Sequence, residues 1–262
     1  MSALSEIGEL FLNEELKLYE NLAAVTYGHK VKFVLRPIEY AMDVHLDFLR
    51  KYCRSAKKVL FLGMNPGPWG MMQNAVPFGE SSSVRDFLGL AGSVKQPPAF
   101  HPSRPVQGLD CRRSEVSGRR FWSFAAHLGA DDPLRFFQNA FVHNYFPHCL
   151  LDDNGKNVTP PELKGLQPDA KKYIDQCCDR SLINVLSILQ VEVVLAIGRY
   201  VQTKIDALVK TYKIPTKVVY LPHPSPRNPA SNKNWLETAK LTILENNLAQ
   251  YFHMTDSQNG LQ

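Results

Sequence analysis

The chain has 262 residues, 44% of them hydrophobic, which is enough to bury one full core. Its formal charge of +5 is a mild basic bias, compatible with a polyanionic partner without requiring one. Five irregularly spaced cysteines suggest no disulfide framework, zinc site or iron–sulfur centre, no apolar run approaches membrane-spanning length, and the N-terminus lacks an apolar signal core, so a reducing compartment is expected.

In chain order, Ser5 to about Tyr27 reads as a helix, with Ile7, Leu10, Phe11 and Leu18 among charges. A second helix is expected from Ala41 to Cys53 and a first buried strand from Val59 to Gly63. The Pro- and Gly-rich stretch from Met64 to Gly118 reads as loop, broken by a helix near Ser83 to Leu90. So long a connector inside a compact domain is usually functional or disordered. Arg104, Arg112, Arg113, Arg119 and Arg120 crowd its end. A helix follows from Arg119 to Leu128, then a strand from Ala140 to Tyr145. Residues 152–168 read as loop, and Ile174, Cys178, Leu182, Val185 and Leu189 form a helical stripe. Val191–Ile197 is a third strand, Gly198 opens a helix to about Lys210, and Lys217–Leu221 is a fourth strand. Leu241, Leu244, Leu248 and Tyr251 mark a last helix. Strands alternating with helices predict an α/β fold with a parallel sheet covered on both faces. One domain is expected over 1–262, with N-terminal helices to about 55, a sheet core over about 58–252 and a polar tail over 253–262.

Two segments carry the strongest functional signal. Gly63-Met64-Asn65-Pro66-Gly67-Pro68-Trp69-Gly70 follows the first strand, and His223-Pro224-Ser225-Pro226-Arg227-Asn228-Pro229 follows the fourth. If both strands lie in one parallel sheet, both loops open at the edge where such sheets bind ligands. Asn65 can orient a water but cannot take its proton. His223 can donate to an oxygen that gains negative charge. Each has a plainer reading, as a strand-end turn and as a capping histidine. Asn144, at the end of the second strand, matches the edge of an amide-like base or bonds the backbone. Phe78 stacks on a planar ring or belongs to the core. His143, His148 and Cys149 fit no standard metal spacing.

Together, Gly63–Pro68, Val76-Pro77-Phe78-Gly79-Glu80, Val142-His143-Asn144 and His223–Pro229 resemble the single-strand-selective monofunctional uracil-DNA glycosylases, a branch of the uracil-DNA glycosylase superfamily. Ser114-Glu115-Val116-Ser117-Gly118 and Arg120-Phe121-Trp122 share the resemblance, which runs in the same order from the second helix to the last. It implies a three-layer α/β/α fold around a four-stranded parallel sheet. It also implies base-excision repair of uracil and 5-hydroxymethyluracil, with related oxidised pyrimidines, in single- and double-stranded DNA. By resemblance, Asn65 positions the attacking water, His223 stabilises the departing base at O2, Asn144 pairs with the uracil edge and Phe78 stacks on it. Gly67 to Met71 line the C5 side, with the backbone of Met64. Pro224, Ser225, Pro226, Arg227 and Asn228 form the wedge that enters the helix. The wider superfamily often carries Asp where this chain has Asn65, and more often Phe where it has Trp69. No cofactor or metal, a monomeric state and nuclear residence are expected. The alternatives are a non-catalytic nucleic-acid-binding domain of the same fold, and a nucleotide enzyme acting on small molecules.

Overall fold

The protein is described here by a computed structural model covering residues 3–163, 165–226 and 229–254. Among the described residues, six strands form two sheets: β1 (Phe33–Leu35), β2 (Val59–Gly63), β3 (Ala140–Asn144), β4 (Cys149–Leu151), β5 (Val193–Ile197) and β6 (Lys217–Leu221). β3, β2, β5 and β6, in that order, make one parallel sheet. Every residue of β2, β3 and β5 is buried, as expected of a parallel sheet with helices on both faces. β6 lies at an edge, and its first residue, Lys217, reaches water.

The helices are α1 (Glu6–Asn21), α2 (Pro37–Tyr40), α3 (Met42–Tyr52), α4 (Met71–Asn74), α5 (Val116–Leu128), α6 (Pro133–Asn139), α7 (Pro168–Leu189), α8 (Arg199–Tyr212) and α9 (Pro229–Glu245). The two-residue period of the strands decides which helices lie on which face. Phe141 of β3 packs against Phe11 of α1 at 5.1 Å and Phe48 of α3 at 5.2 Å. Phe61 of β2 points the other way, against Phe121 of α5 and Phe136 of α6, both at 5.5 Å. α7 packs along α1, and Trp235 of α9 meets Phe124 of α5. The sheet thus carries an aromatic layer on each face, and truncating a fully buried ring such as Phe61 to Ala would cost about 3–5 kcal/mol.

Several elements differ from the sequence expectation. α1 stops at Asn21 instead of near Tyr27, and beyond it the Tyr27 hydroxyl pairs with His148 Nδ1 at 2.9 Å. β1 and β4 form an antiparallel ribbon of three-residue strands that the sequence did not announce. α6 was also unexpected, although Asp132 caps it by accepting from the Leu134 N–H at 2.8 Å. The expected helix near Ser83–Leu90 is a π-helical turn over Ser83–Phe87. α5 starts at Val116, three residues early. α9 kinks at Asn234 (φ −165°, ψ 69°) and buries Trp235, Ala239 and Ile243, four residues apart. Leu241 and Leu244, expected on its apolar face, are exposed.

Candidate active site

The carboxyl ends of β2, β3 and β6 meet around a cavity of about 500 Å³. Met64, Asn65, Phe78, Asn144 and His223 all line it. Segments 160 residues apart in the chain therefore share one site because their strands run parallel in one sheet.

Asn144 ends β3 in register with Gly63 of β2. Its Nδ2 donates to the Met71 sulfur at 3.2 Å, which fixes the amide orientation. Met71 is buried behind Asn144, so its side chain holds the amide while Met64 and Gly67 line the cavity wall. Next to Asn144, His143 turns to the α1 face, where Glu15 Oε1 lies 3.7 Å from its Nδ1. Glu15 Oε2 is 2.7 Å from His45 Nε2, and His45 Nδ1 meets the Ala75 carbonyl at 2.9 Å. Burial opposes a charged His45, but Glu15 and the Ala75 carbonyl outweigh it and raise its pKa. His143, also buried, is pushed down and stays neutral.

Phe78 unites its two readings. One face stacks on Phe121, 4.6 Å between centroids and 19° between planes, and the ring also lines the cavity. Its φ of 54° is unusual for a bulky residue and holds its carbonyl where Trp122 Nε1 donates at 2.9 Å.

Asn65 donates from Nδ2 to the Pro66 carbonyl at 3.0 Å and, at a long 3.5 Å, to Asn157 Oδ1. These bonds turn the amide so that Oδ1 is the atom left to accept from a water. The Ser225 N–H donates to His223 Nδ1 at 3.1 Å. Nδ1 is then the acceptor, and the ring proton sits on Nε2. Burial lowers the His223 pKa to about 4, so the imidazole is neutral at pH 7. Its loop is pinned from three sides: Trp235 Nε1 to the Pro222 carbonyl at 2.7 Å, Arg120 Nη1 to the Pro224 carbonyl at 2.9 Å, and Asn232 Nδ2 to the Pro226 carbonyl at 2.7 Å.

The loop over the cavity, residues 66–70, rests on Glu115. A Cβ added at Gly67 would come within 2.5 Å of Glu115 Oε1, and one at Gly70 would collide with the same carboxyl. Glu115 is the N-cap of α5, and the Gly118 N–H is turned toward its carboxyl. Its Oε2 is sealed from solvent without a hydrogen-bond partner. Burial raises its pKa to about 7, against the pull of that N–H.

Of the residues singled out in the sequence, the structure brings Met64, Asn65, Gly67, Phe78, Asn144, His223 and Ser225 to the cavity. Pro224 is buried under the loop and Pro226 is exposed, while Arg227 and Asn228 lie outside the described residues. Lys156, Asn157 and Thr159 were missed. They enter because Asn157 bridges back to Leu151, a long-range pairing with no local signal. Trp69, within the Gly67–Met71 stretch expected on the C5 side, lines the cavity, and so do Glu115 and Arg104, neither of which had been assigned a role there.

The structure thus sets a strand-end amide, a neutral imidazole and a stacked phenyl ring around one cavity at the carboxyl edge of a parallel sheet. The chain belongs to the uracil-DNA glycosylase superfamily, whose family model matches residues 50–244. It is 44% identical over 239 residues to the single-strand selective monofunctional uracil DNA glycosylase of Bos taurus, covering 91% of this chain and 86% of that protein. The corresponding proteins of Rattus norvegicus and Mus musculus are each 41% identical over the same length, covering 84% of those proteins. The crystal structure of wild-type SMUG2 from Pedobacter heparinus shares the fold, with a TM-score of 0.64 at 16% identity over 90% of this chain and 98% of that one.

Proposed function

We propose that this protein releases uracil and 5-hydroxymethyluracil, with related oxidised pyrimidines, from single- and double-stranded DNA by drawing the nucleotide into the cavity. The chain is an N-glycosyl hydrolase of the uracil-DNA glycosylase type, acting in base-excision repair. The observation that carries the finer reading is the convergence of Asn65, Asn144, Phe78 and His223 on one cavity.

A base inside a duplex is out of reach, so it must be flipped, at an unstacking cost of a few kcal/mol that is least for single strands. Phe78 takes the base face. Asn144 offers its second Nδ2 proton to O4 and Oδ1 to N3–H. Cytosine presents the opposite pattern and is refused. As the bond from N1 to C1′ breaks, its electron pair leaves with uracil and charge gathers on O2. His223 Nε2–H meets that charge as a neutral donor. A fixed donor of this kind is worth about 10²–10³ in rate. Water held by Asn65 Oδ1 then bonds to the cationic C1′, and its proton passes to the uracil anion or to solvent. With no carboxylate at position 65, alignment replaces general-base help.

At C5, the 66–70 loop closes the wall. A methyl group is worth only about 1–3 kcal/mol in a pocket, so size alone rejects thymine weakly. A hydroxymethyl group can take over the hydrogen bonds of a water on that wall, and a methyl group cannot. The protein works as a monomer on genomic DNA, which implies nuclear residence. Release stops at the abasic site. Lys156 lines the cavity, so borohydride trapping of an enzyme–DNA adduct would contradict this step. The test of the whole reading is base release from uracil, hydroxymethyluracil, thymine and cytosine in single and double strands. Equal release of thymine and hydroxymethyluracil would remove the C5 argument.

A further inference from the structure

Trp69 stands four residues after Asn65, on the stiff loop that roofs the cavity, and its half-buried ring lines the mouth. Two guanidinium groups from a different loop converge on this ring. Arg104 Cζ lies 5.3 Å and Arg113 Cζ 5.4 Å from its centroid. Each distance is within the range of a cation–π attraction, for which Trp is the best partner. Gathering two cations on one ring is unfavourable by mutual repulsion unless an anion offsets it. Among the described residues, no carboxylate lies within ion-pair distance of either arginine. The acid that shares the cavity, Glu115, is tucked against Gly67 and Gly70 under the loop. Arg104 donates from Nη1 to the Ser103 carbonyl at 2.8 Å and to Ser103 Oγ at 3.3 Å, which occupies Nη1 and leaves the Nε and Nη2 edge of the fork for an outside acceptor. Arg113 is exposed.

We propose that Arg104, Trp69 and Arg113 form a phosphate clamp for the strand that carries the everted nucleotide. The inference rests on the glycosylase reading, which supplies the polyanion. The indole is a flat platform that limits the rotamers of both side chains before DNA arrives. Arginine forks held this way match a phosphodiester, with two parallel N–H···O bonds per guanidinium. The clamp sits at the cavity mouth, on the Asn65 side, and the pinned 222–226 loop stands at the His223 side of the same cavity. A strand crossing the mouth would be held at two points, with the nucleotide between them turned inward. Because phosphates are alike, the clamp strengthens binding without reading sequence. It also accounts for Trp69: a larger ring than Phe holds two cations better.

The experiment is a salt titration of binding, read by fluorescence anisotropy. The probes are two labelled single-stranded oligonucleotides of equal length, one all-thymine and one carrying a single uracil analogue with a non-hydrolysable glycosidic bond. Arg104→Gln, Arg113→Gln and the double variant are compared with the wild type; Arg113 is exposed and Arg104 half-buried at the cavity, and Gln keeps their stems. Each lost phosphate contact on a single strand should flatten the slope of log K against log salt by about 0.7. Both oligonucleotides should lose affinity by the same factor. Trp69→Phe should weaken binding less than Trp69→Ala. A wild-type slope in the double variant overturns the clamp, as does a loss confined to the uracil-analogue strand. Because binding is read without turnover, failure of the clamp and failure of the glycosylase reading appear separately: the second would show as no base release by the wild type.

Discussion

Gly63 and Asn144 face each other in the last rung between β2 and β3, and the Asn144 amide oxygen occupies the space a side chain at 63 would need. The Phe78 ring closes the same space, with Cε2 3.0 Å and Cζ 3.1 Å from where that Cβ would stand. One missing side chain therefore lets the Asn144 amide and the Phe78 ring approach each other.

Gly63→Ala should displace both groups at once. A misplacement near 1 Å can cost about 10²-fold in rate. The expected outcome is a loss of that order in kcat/KM for uracil, with destabilisation of about 1–3 kcal/mol from overpacking. Steady-state kinetics and denaturant unfolding check the two parts separately.

Asn144 keeps its orientation through Met71. Met71→Leu keeps the bulk and removes the sulfur acceptor. Loss of one hydrogen bond is worth about 0.5–1.5 kcal/mol, or up to roughly tenfold. Uracil release should fall by no more than that, and discrimination against cytosine should narrow. Unchanged discrimination would show that Met71 does not set the amide.

In the proposed mechanism His223 acts through the proton on Nε2, held there by the Ser225 N–H. Ser225→Pro removes that N–H, and Ser225→Ala keeps it. The proline variant should lose far more kcat than the alanine variant. Because burial holds the imidazole pKa near 4, no histidine inflection is expected in the activity profile between about pH 5 and 8.

Glu115 makes the stability of the fold depend on pH. Its pKa is raised by burial to about 7, and Glu80 adds to the rise. The folded state therefore binds this proton more tightly than the unfolded chain, whose carboxyl titrates near the ordinary value of 4.5. Its contribution is full below about pH 4.5 and is lost as pH rises through 7. Glu115→Gln lacks this titration. The Tm difference between Gln variant and wild type should shift in favour of the variant from pH 4.5 to 8, and a flat difference would remove the buried-acid assignment.

What the sequence disclosed follows from how locally each feature is encoded. Val59–Gly63 and Lys217–Leu221 match their strands because short apolar runs end in Pro/Gly loops, a signal contained within ten residues. Asn65 and His223 were visible for the same reason. β1 and β4 were invisible because three residues hold no periodicity, and their pairing spans more than a hundred residues. Asn157 reaches Asn65 only through the turn that follows β4. The apolar face of α9 was misread because the kink at Asn234 sets its phase, so Leu241 and Leu244 point to water. Glu115 was legible as part of Ser114–Gly118, but its burial under Gly67 and Gly70 depends on two loops closing on each other.

The most direct test is single-turnover release of uracil from a single-stranded oligonucleotide by the wild type, Asn65→Ala and His223→Ala. The account predicts free uracil from the wild type and a fall on the order of 10²-fold or more in each variant, with the strand still bound. Release by either variant at the wild-type rate, or none by the wild type, would contradict it.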